Sequence, residues 1–326
     1  TNILPNADAL FLTAIDPYGH ELWRWTFPVN KLNQQTEQLS PLSSRPTYTE
    51  TENELTVKAN KRTFIFSKKD GQLKGVSVDN RKINFANGPR FIGARRADRS
   101  LDQFYNHDDE KAKEKDRTYS EFPDAAVFTK LDVKEDGGNL VVTANYKLGN
   151  LDKSQWTINP SGDLALDYTY NFSGVVDLMG IRFDYPEDQV ISKRWLGAGP
   201  YRVWQNRIHG TQYDVWENDY NDPIPGETFT YPEFKGYFGD VSWMNIQTKE
   251  GTISLTNEAP DAYIGVYQPR DGRDRLLYTL PESGISVLNV IPPVRNKVNS
   301  TDLCGPSSQP KWVNGPQTGR VIFRFM

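Results

Sequence analysis

The chain has 326 residues, enough for one large all-β domain or two modest ones with a sizeable buried core. Its 8 Trp, 16 Tyr and 16 Phe, set against 37% hydrophobic residues and a mean hydropathy of −0.66, suit a half-wetted sheet protein better than a helical one. A formal charge of −4 with Lys and Arg scattered among the acids excludes nucleic acid as a partner, and no apolar run approaches the roughly 20 residues of a membrane helix.

Residues 9–29 read as two strands joined at Asp16-Pro17-Tyr18-Gly19, a hairpin. Residues 31–53 are polar, carry Pro41 and Pro46, and show no period, as a linker would. From Glu54 the chain settles into strand and turn units. LTVKA, TFIFS and LKGVSVD come first, with Asp70-Gly71 as a hairpin signal. AVFTKLDVKE, NLVVTANYKL, SQWTIN and LALDYTYNFS follow, punctuated by Asp136-Gly137-Gly138 and Pro160-Ser161-Gly162-Asp163. Turns about every 8 to 12 residues predict a sandwich rather than βαβ units. The charged run Asp108–Arg117 reads as a solvated surface excursion, and no repeat of fixed period is present. The expected organisation is a hairpin over 1–30, a linker over 31–53 and one sandwich over 54–326.

A single cysteine, Cys304, and three scattered histidines, His20, His107 and His209, leave no disulfide framework and no thiolate or histidine metal site, so no cofactor is expected. The acids Asp214, Glu217, Asp219 and Asp222 offer oxygen ligands for a hard cation, but without the spacing of a known calcium loop. No pair of carboxyl groups stands out as a hydrolytic dyad.

The most distinctive segment runs from Arg194 to Ile246. In Trp195-Leu196-Gly197-Ala198-Gly199-Pro200, the glycines permit backbone geometries closed to other residues and Pro200 fixes φ, which predicts a sharp turn anchored by Trp195. Asn206-Arg207 follows, then Tyr231-Pro232-Glu233 and Gly236. Trp204, Trp216, Tyr220 and Trp312 are flanked by polar residues. With Arg207 they are the candidate carbohydrate contacts, since aromatic faces stack on sugar rings while polar groups bond the hydroxyls. The alternative for these rings is partial burial in a sheet.

The order and spacing of these motifs resemble the last domain of family 2 β-galactosidases, where a W-x-G-x-G-P…(D/N)-R signature precedes a Y-x-x-P-x-E-x-G element. Ile65-Phe66-Ser67 through Leu73 resembles the strand-turn-strand that opens that domain, and the hairpin ending in Trp23-Arg24-Trp25 is similar to the last strands of the preceding immunoglobulin-like domain. The resemblance implies a large twisted antiparallel sandwich of the galactose mutarotase-like kind, without catalytic residues of its own. It also implies two partners: a carbohydrate, either a galactoside or a plant polysaccharide fragment, and a catalytic (β/α)₈ barrel in a longer parent chain, periplasmic or extracellular in preference to cytoplasmic. Two alternatives stand beside it, an autonomous carbohydrate-binding module and a mutarotase using His209 as acid or base.

The sequence departs from the family in the loops that meet the sugar. Val287 stands where a tryptophan precedes the Leu-Asn pair, and Cys304-Gly305-Pro306-Ser307-Ser308-Gln309-Pro310 lacks the Asp and Trp of the family's second run; elsewhere Ala97-Asp98-Arg99 replaces an acidic ending, so no ion or packing role of that ending carries over. The first two losses imply a different sugar or a branched polysaccharide in place of lactose.

Overall fold

The computed structural model describes residues 7, 9–29, 44–96, 119–219, 236–259, 261–266, 281, 283–293 and 305–326. Among them, the alternating segments become antiparallel strands. β1 (Ala9–Ile15) and β2 (Glu21–Pro28) form a separate hairpin. The first stretch of the main body holds β3 (Thr47–Glu50), β4 (Glu54–Ala59), β5 (Arg62–Ser67), β6 (Leu73–Val78), β7 (Arg81–Ile83), β8 (Ala86–Arg96) and β9 (Tyr119–Glu121). A meander follows, β10 (Val127–Asp136), β11 (Asn139–Lys147), β12 (Leu151–Ile158) and β13 (Leu164–Val176), after which β14 (Leu178–Asp184) crosses to the other sheet. The chain closes with β15 (Val190–Gly199), β16 (Gln212–Asp219), β17 (Trp243–Thr248), β18 (Gly251–Asn257), β19 (Tyr263–Gly265), β20 (Ile285–Val290) and β21 (Lys311–Phe325).

Two large sheets result. The nine-stranded sheet runs β10-β11-β12-β13-β21-β18-β17-β15-β16. The ten-stranded sheet runs β19-β20-β14-β8-β6-β5-β4-β3, with β7 beside β6 and β9 beside β8. The predicted all-β class with large antiparallel sheets is what the molecule adopts. One boundary differs from expectation. Thr47–Glu50, read as linker, pairs with β4 from Thr47↔Lys58 to Glu50↔Leu55 as an exposed edge strand, and its polar composition is that of an edge open to water. The charged run Asp108–Arg117 lies outside the described residues.

Local chemistry explains the turns. Asp136 and Asn139 face each other across Gly137 and Gly138, both at positive φ (58° and 89°), the pair of left-handed positions a two-residue hairpin loop demands. Between the sheets, the inward residues of every second position make one core. Trp156 packs against Phe66 at 6.0 Å and Phe183 at 6.0 Å, while Phe323 meets Phe85 at 4.9 Å and Phe183 at 5.3 Å. These are edge and tilted contacts across the layer, the preferred geometry of aromatic pairs.

The hairpin is different. Its register sets Leu10 opposite Phe27, Leu12 opposite Trp25 and Ala14 opposite Trp23, so these six share one face. Leu10, Leu12, Trp23, Trp25 and Phe27 remain 45–57% exposed there. On the other face Arg24 lies over the Phe11 ring at 5.2 Å and reaches the carboxylate of Asp214, on edge strand β16, at 3.6 Å.

Candidate functional site

β15 carries the first half of the distinctive segment into the core. Trp195 is fully buried, meets Phe238 edge-on at 5.0 Å, and donates its indole N–H to the Ala198 carbonyl at 3.0 Å. Gly197 and Gly199 were expected to supply unusual backbone angles, yet neither adopts a positive φ. Close approach is the reason for glycine here. A Cβ on Gly199 would stand 2.4 Å from the Trp216 ring, and one on Gly197 about 3.0 Å from the backbone at 239–241. The strand ends at Pro200, joined to Gly199 by a cis peptide bond.

Beyond Pro200 the chain crosses to the outward face of the ten-stranded sheet. Val203 exchanges two backbone hydrogen bonds with Tyr237, at 2.7 and 2.8 Å, so that Gly236 lies against the Val203 carbonyl where a Cβ would be 2.2 Å away. Trp204 and Tyr237 meet edge-on at 5.7 Å and pack on Ile92, Ala94, Leu178 and Leu288, forming a second, smaller core. Gln205 then acts as a clamp. Its side-chain amide donates to the carbonyls of Ser307 at 2.9 Å and Gln309 at 2.7 Å, and its backbone N–H donates to Pro292 at 3.1 Å. Asn206 adds a bond to the Ser308 hydroxyl at 3.1 Å. The turn following the signature thus fixes the segment from which β21 starts. We expect Gln205→Ala to free that segment, raising hydrogen-exchange rates around 305–310 and lowering stability by about 1–2 kcal/mol through the loss of two hydrogen bonds.

Strand alternation places a charged group on the same outward face, beside the small core. Arg90 and Arg182 stand directly opposite each other on β8 and β14. Arg90 is paired with Asp184, whose other oxygen accepts from the Asn87 amide at 2.8 Å. Burial, then the neighbouring Arg90 charge, lowers the pKa of Arg182, while Glu121, Asp184 and Asp124 oppose that shift. Loss of water raises the pKa of Asp124, against the pull of the Ala126 N–H and of Arg90 and Arg182.

The candidate contacts do not converge as the sequence implied. Trp204 is 3% exposed and committed to packing, so it presents no face to a sugar; the run around it is polar, but the strands it lands on are apolar. Trp216 is half-buried over Gly199 with its N–H given to the Gln212 carbonyl at 3.0 Å. Arg207 is exposed, held by the Trp204 carbonyl through its backbone, and His209 is exposed on the turn that follows. Trp312 is 72% exposed at the start of β21, just past the clamped segment. Tyr220, Tyr231, Pro232 and Glu233 lie outside the described residues. Arg90, Arg182 and Gln205 were not singled out from the sequence, since only the pairing of distant strands brings the two arginines together. Among the described residues no three His, Cys, Asp or Glu side chains are grouped to hold a metal ion.

The family model described as beta galactosidase small chain matches residues 58–292. No curated protein matches the chain. Among solved structures, galactose 1-epimerase from Lactobacillus acidophilus NCFM is similar at 8% identity and a TM-score of 0.45, over 87% of this chain and 99% of that one. A GalM/aldose epimerase homologue from C. elegans is similar at 6% identity and a TM-score of 0.39, over 86% and 99%. A galactose mutarotase-like protein from Lactobacillus casei ATCC 334 is similar at 10% identity and a TM-score of 0.37, over 86% and 100%.

Proposed function

The chain belongs to the beta galactosidase small chain family, and from that membership we propose that it is a non-catalytic domain of a glycoside hydrolase. It completes the carbohydrate cleft of a catalytic barrel carried by the same protein and stabilises the enzyme. The observation that carries this reading is the hairpin β1–β2. Leu10, Leu12, Trp23, Trp25 and Phe27 form a continuous apolar face left 45–57% exposed. A two-stranded hairpin is marginal by itself, and such a face calls for a covering sheet. On this reading the cover is a preceding immunoglobulin-like domain to which β1 and β2 contribute.

The outward face of the ten-stranded sheet is then the side that meets the cleft, through the segment clamped by Gln205. A mutarotase reading depends on His209, which stands exposed on a turn, without enclosure among the described residues for acid–base work on a shielded sugar. The test is hydrolysis of an aryl β-galactoside by the purified chain. No turnover above background is expected, and catalytic turnover that follows the protein through purification would overturn the proposal. Polarimetry on galactose serves as the parallel assay, with no acceleration of anomerisation expected.

A further inference from the structure

The long pairing of β13 with β21 extends past the rest of the nine-stranded sheet. Inward residues of β21 alternate with exposed ones, so that Trp312, Asn314, Pro316, Thr318 and Arg320 line one outward row. Their register partners on β13 are Val175, Ser173, Asn171, Thr169 and Asp167. At the Arg320 end the face sinks into a depression of about 340 Å³, near the lower limit of small-ligand sites, where β12 adds Lys153 and Gln155 and the loop after β18 adds Glu258. At the other end stands the Trp312 ring, 72% exposed. The two ends are about 27 Å apart along a strand rising ~3.4 Å per residue.

The chemistry of the strip selects its occupant. Arg320 holds Asp167 at 2.6 Å and Glu258 at 3.0 Å, so with Lys153 the depression carries two cations against two anions. That balance favours neither a polyanion nor a polycation. Between the ends, Ser173 donates to the Asn314 side chain at 2.8 Å and the Asn171 amide donates to Asp152, so the surface there is mostly polar, with Trp312, Pro316 and half-buried Val175 as its apolar members. An isolated flat ring, a row of amides and hydroxyls, and a shallow neutral pocket in line are the complement of an extended chain of sugar rings.

We infer that the outward face of β13 and β21 is a binding track for a linear neutral polysaccharide, running from the Lys153–Arg320 depression to Trp312. The inference rests on this face alone and stands whether or not the chain hydrolyses glycosides. Its test is affinity electrophoresis of the purified chain in native gels containing linear β-1,4-galactan, galactomannan or hydroxyethyl cellulose, with polygalacturonate as an anionic probe. We expect retardation by at least one neutral polymer, weakened about tenfold by Trp312→Ala through loss of ring stacking. The double variant Lys153→Ala/Gln155→Ala should weaken it comparably, and both variants should melt at the wild-type temperature. Retardation by none of the neutral polymers, retardation by polygalacturonate alone, or undiminished affinity in either variant would overturn the track.

Discussion

Trp195→Ala is expected to destabilise the fold by about 3–5 kcal/mol, the range for emptying a fully buried aromatic site. The ring has no exposed surface and is enclosed by strands on both sides, with Trp216 and Met244 as its register partners on β16 and β17. Removing it leaves a void beside Phe238 and strips the buried Ala198 carbonyl of its 3.0 Å donor. The neighbouring glycines make collapse into that void difficult, because Gly197 already lies against the backbone at 239–241. Trp195→Phe separates the two contributions, since it keeps most of the ring and loses the hydrogen bond, for about 1–2 kcal/mol. Urea unfolding followed by circular dichroism measures both. A loss below about 1 kcal/mol for the alanine variant would show that the ring is not the anchor of the turn.

The contrast between Trp195 and Trp204 shows what could be read from the chain and what could not. Trp195 precedes a glycine-rich run, and that local pattern was enough to mark a packing anchor. Trp204 sits among polar neighbours and read equally as a sugar contact or as a partly buried sheet residue, and Gly236 opens a slot for it against Tyr237, more than thirty positions away in the chain. Only the crossing of distant segments decides its burial. The same holds for Arg90 and Arg182, which face each other because β8 and β14 pair, a register that no local spacing announces. Strands and turns were legible because alternation and the Gly137-Gly138 and Gly71 turns act over a few residues. The strand Thr47–Glu50 was missed for the opposite reason, as an exposed edge has no apolar face to alternate.

Breaking the ion pair at the far end of β21 should have the second largest effect, and its pH dependence identifies the cause. Arg324 grips Asp163 with two parallel bonds, at 2.6 and 2.9 Å, and both side chains are nearly buried, at 13% and 11% exposure. Asn159 donates to the same carboxylate at 3.1 Å, and Arg62 ties the adjoining backbone by donating to Ser161 and Phe325, each at 2.7 Å. Burial pushes the Asp163 pKa up, but the Arg324 bonds and charge, with help from Asn159 and Arg62, outweigh it and hold the carboxyl below its ordinary value. A depressed folded pKa means that the unfolded chain takes the proton first as pH falls. The contribution is therefore complete above the unfolded value of about 3.9 and is lost as pH drops through the folded one. Arg324→Met leaves the carboxylate desolvated and unpaired, at an expected cost of about 3–5 kcal/mol near neutral pH. In the variant only Asn159 and Arg62 still oppose burial, so the Asp163 pKa rises from its wild-type position and acid relieves the strain by protonating it. The stability gap between wild type and variant should accordingly narrow from pH 7 to pH 3, as read from urea midpoints at each pH. A gap that stays constant over that range would assign the loss to packing of the Arg324 stem instead of to the charge pair.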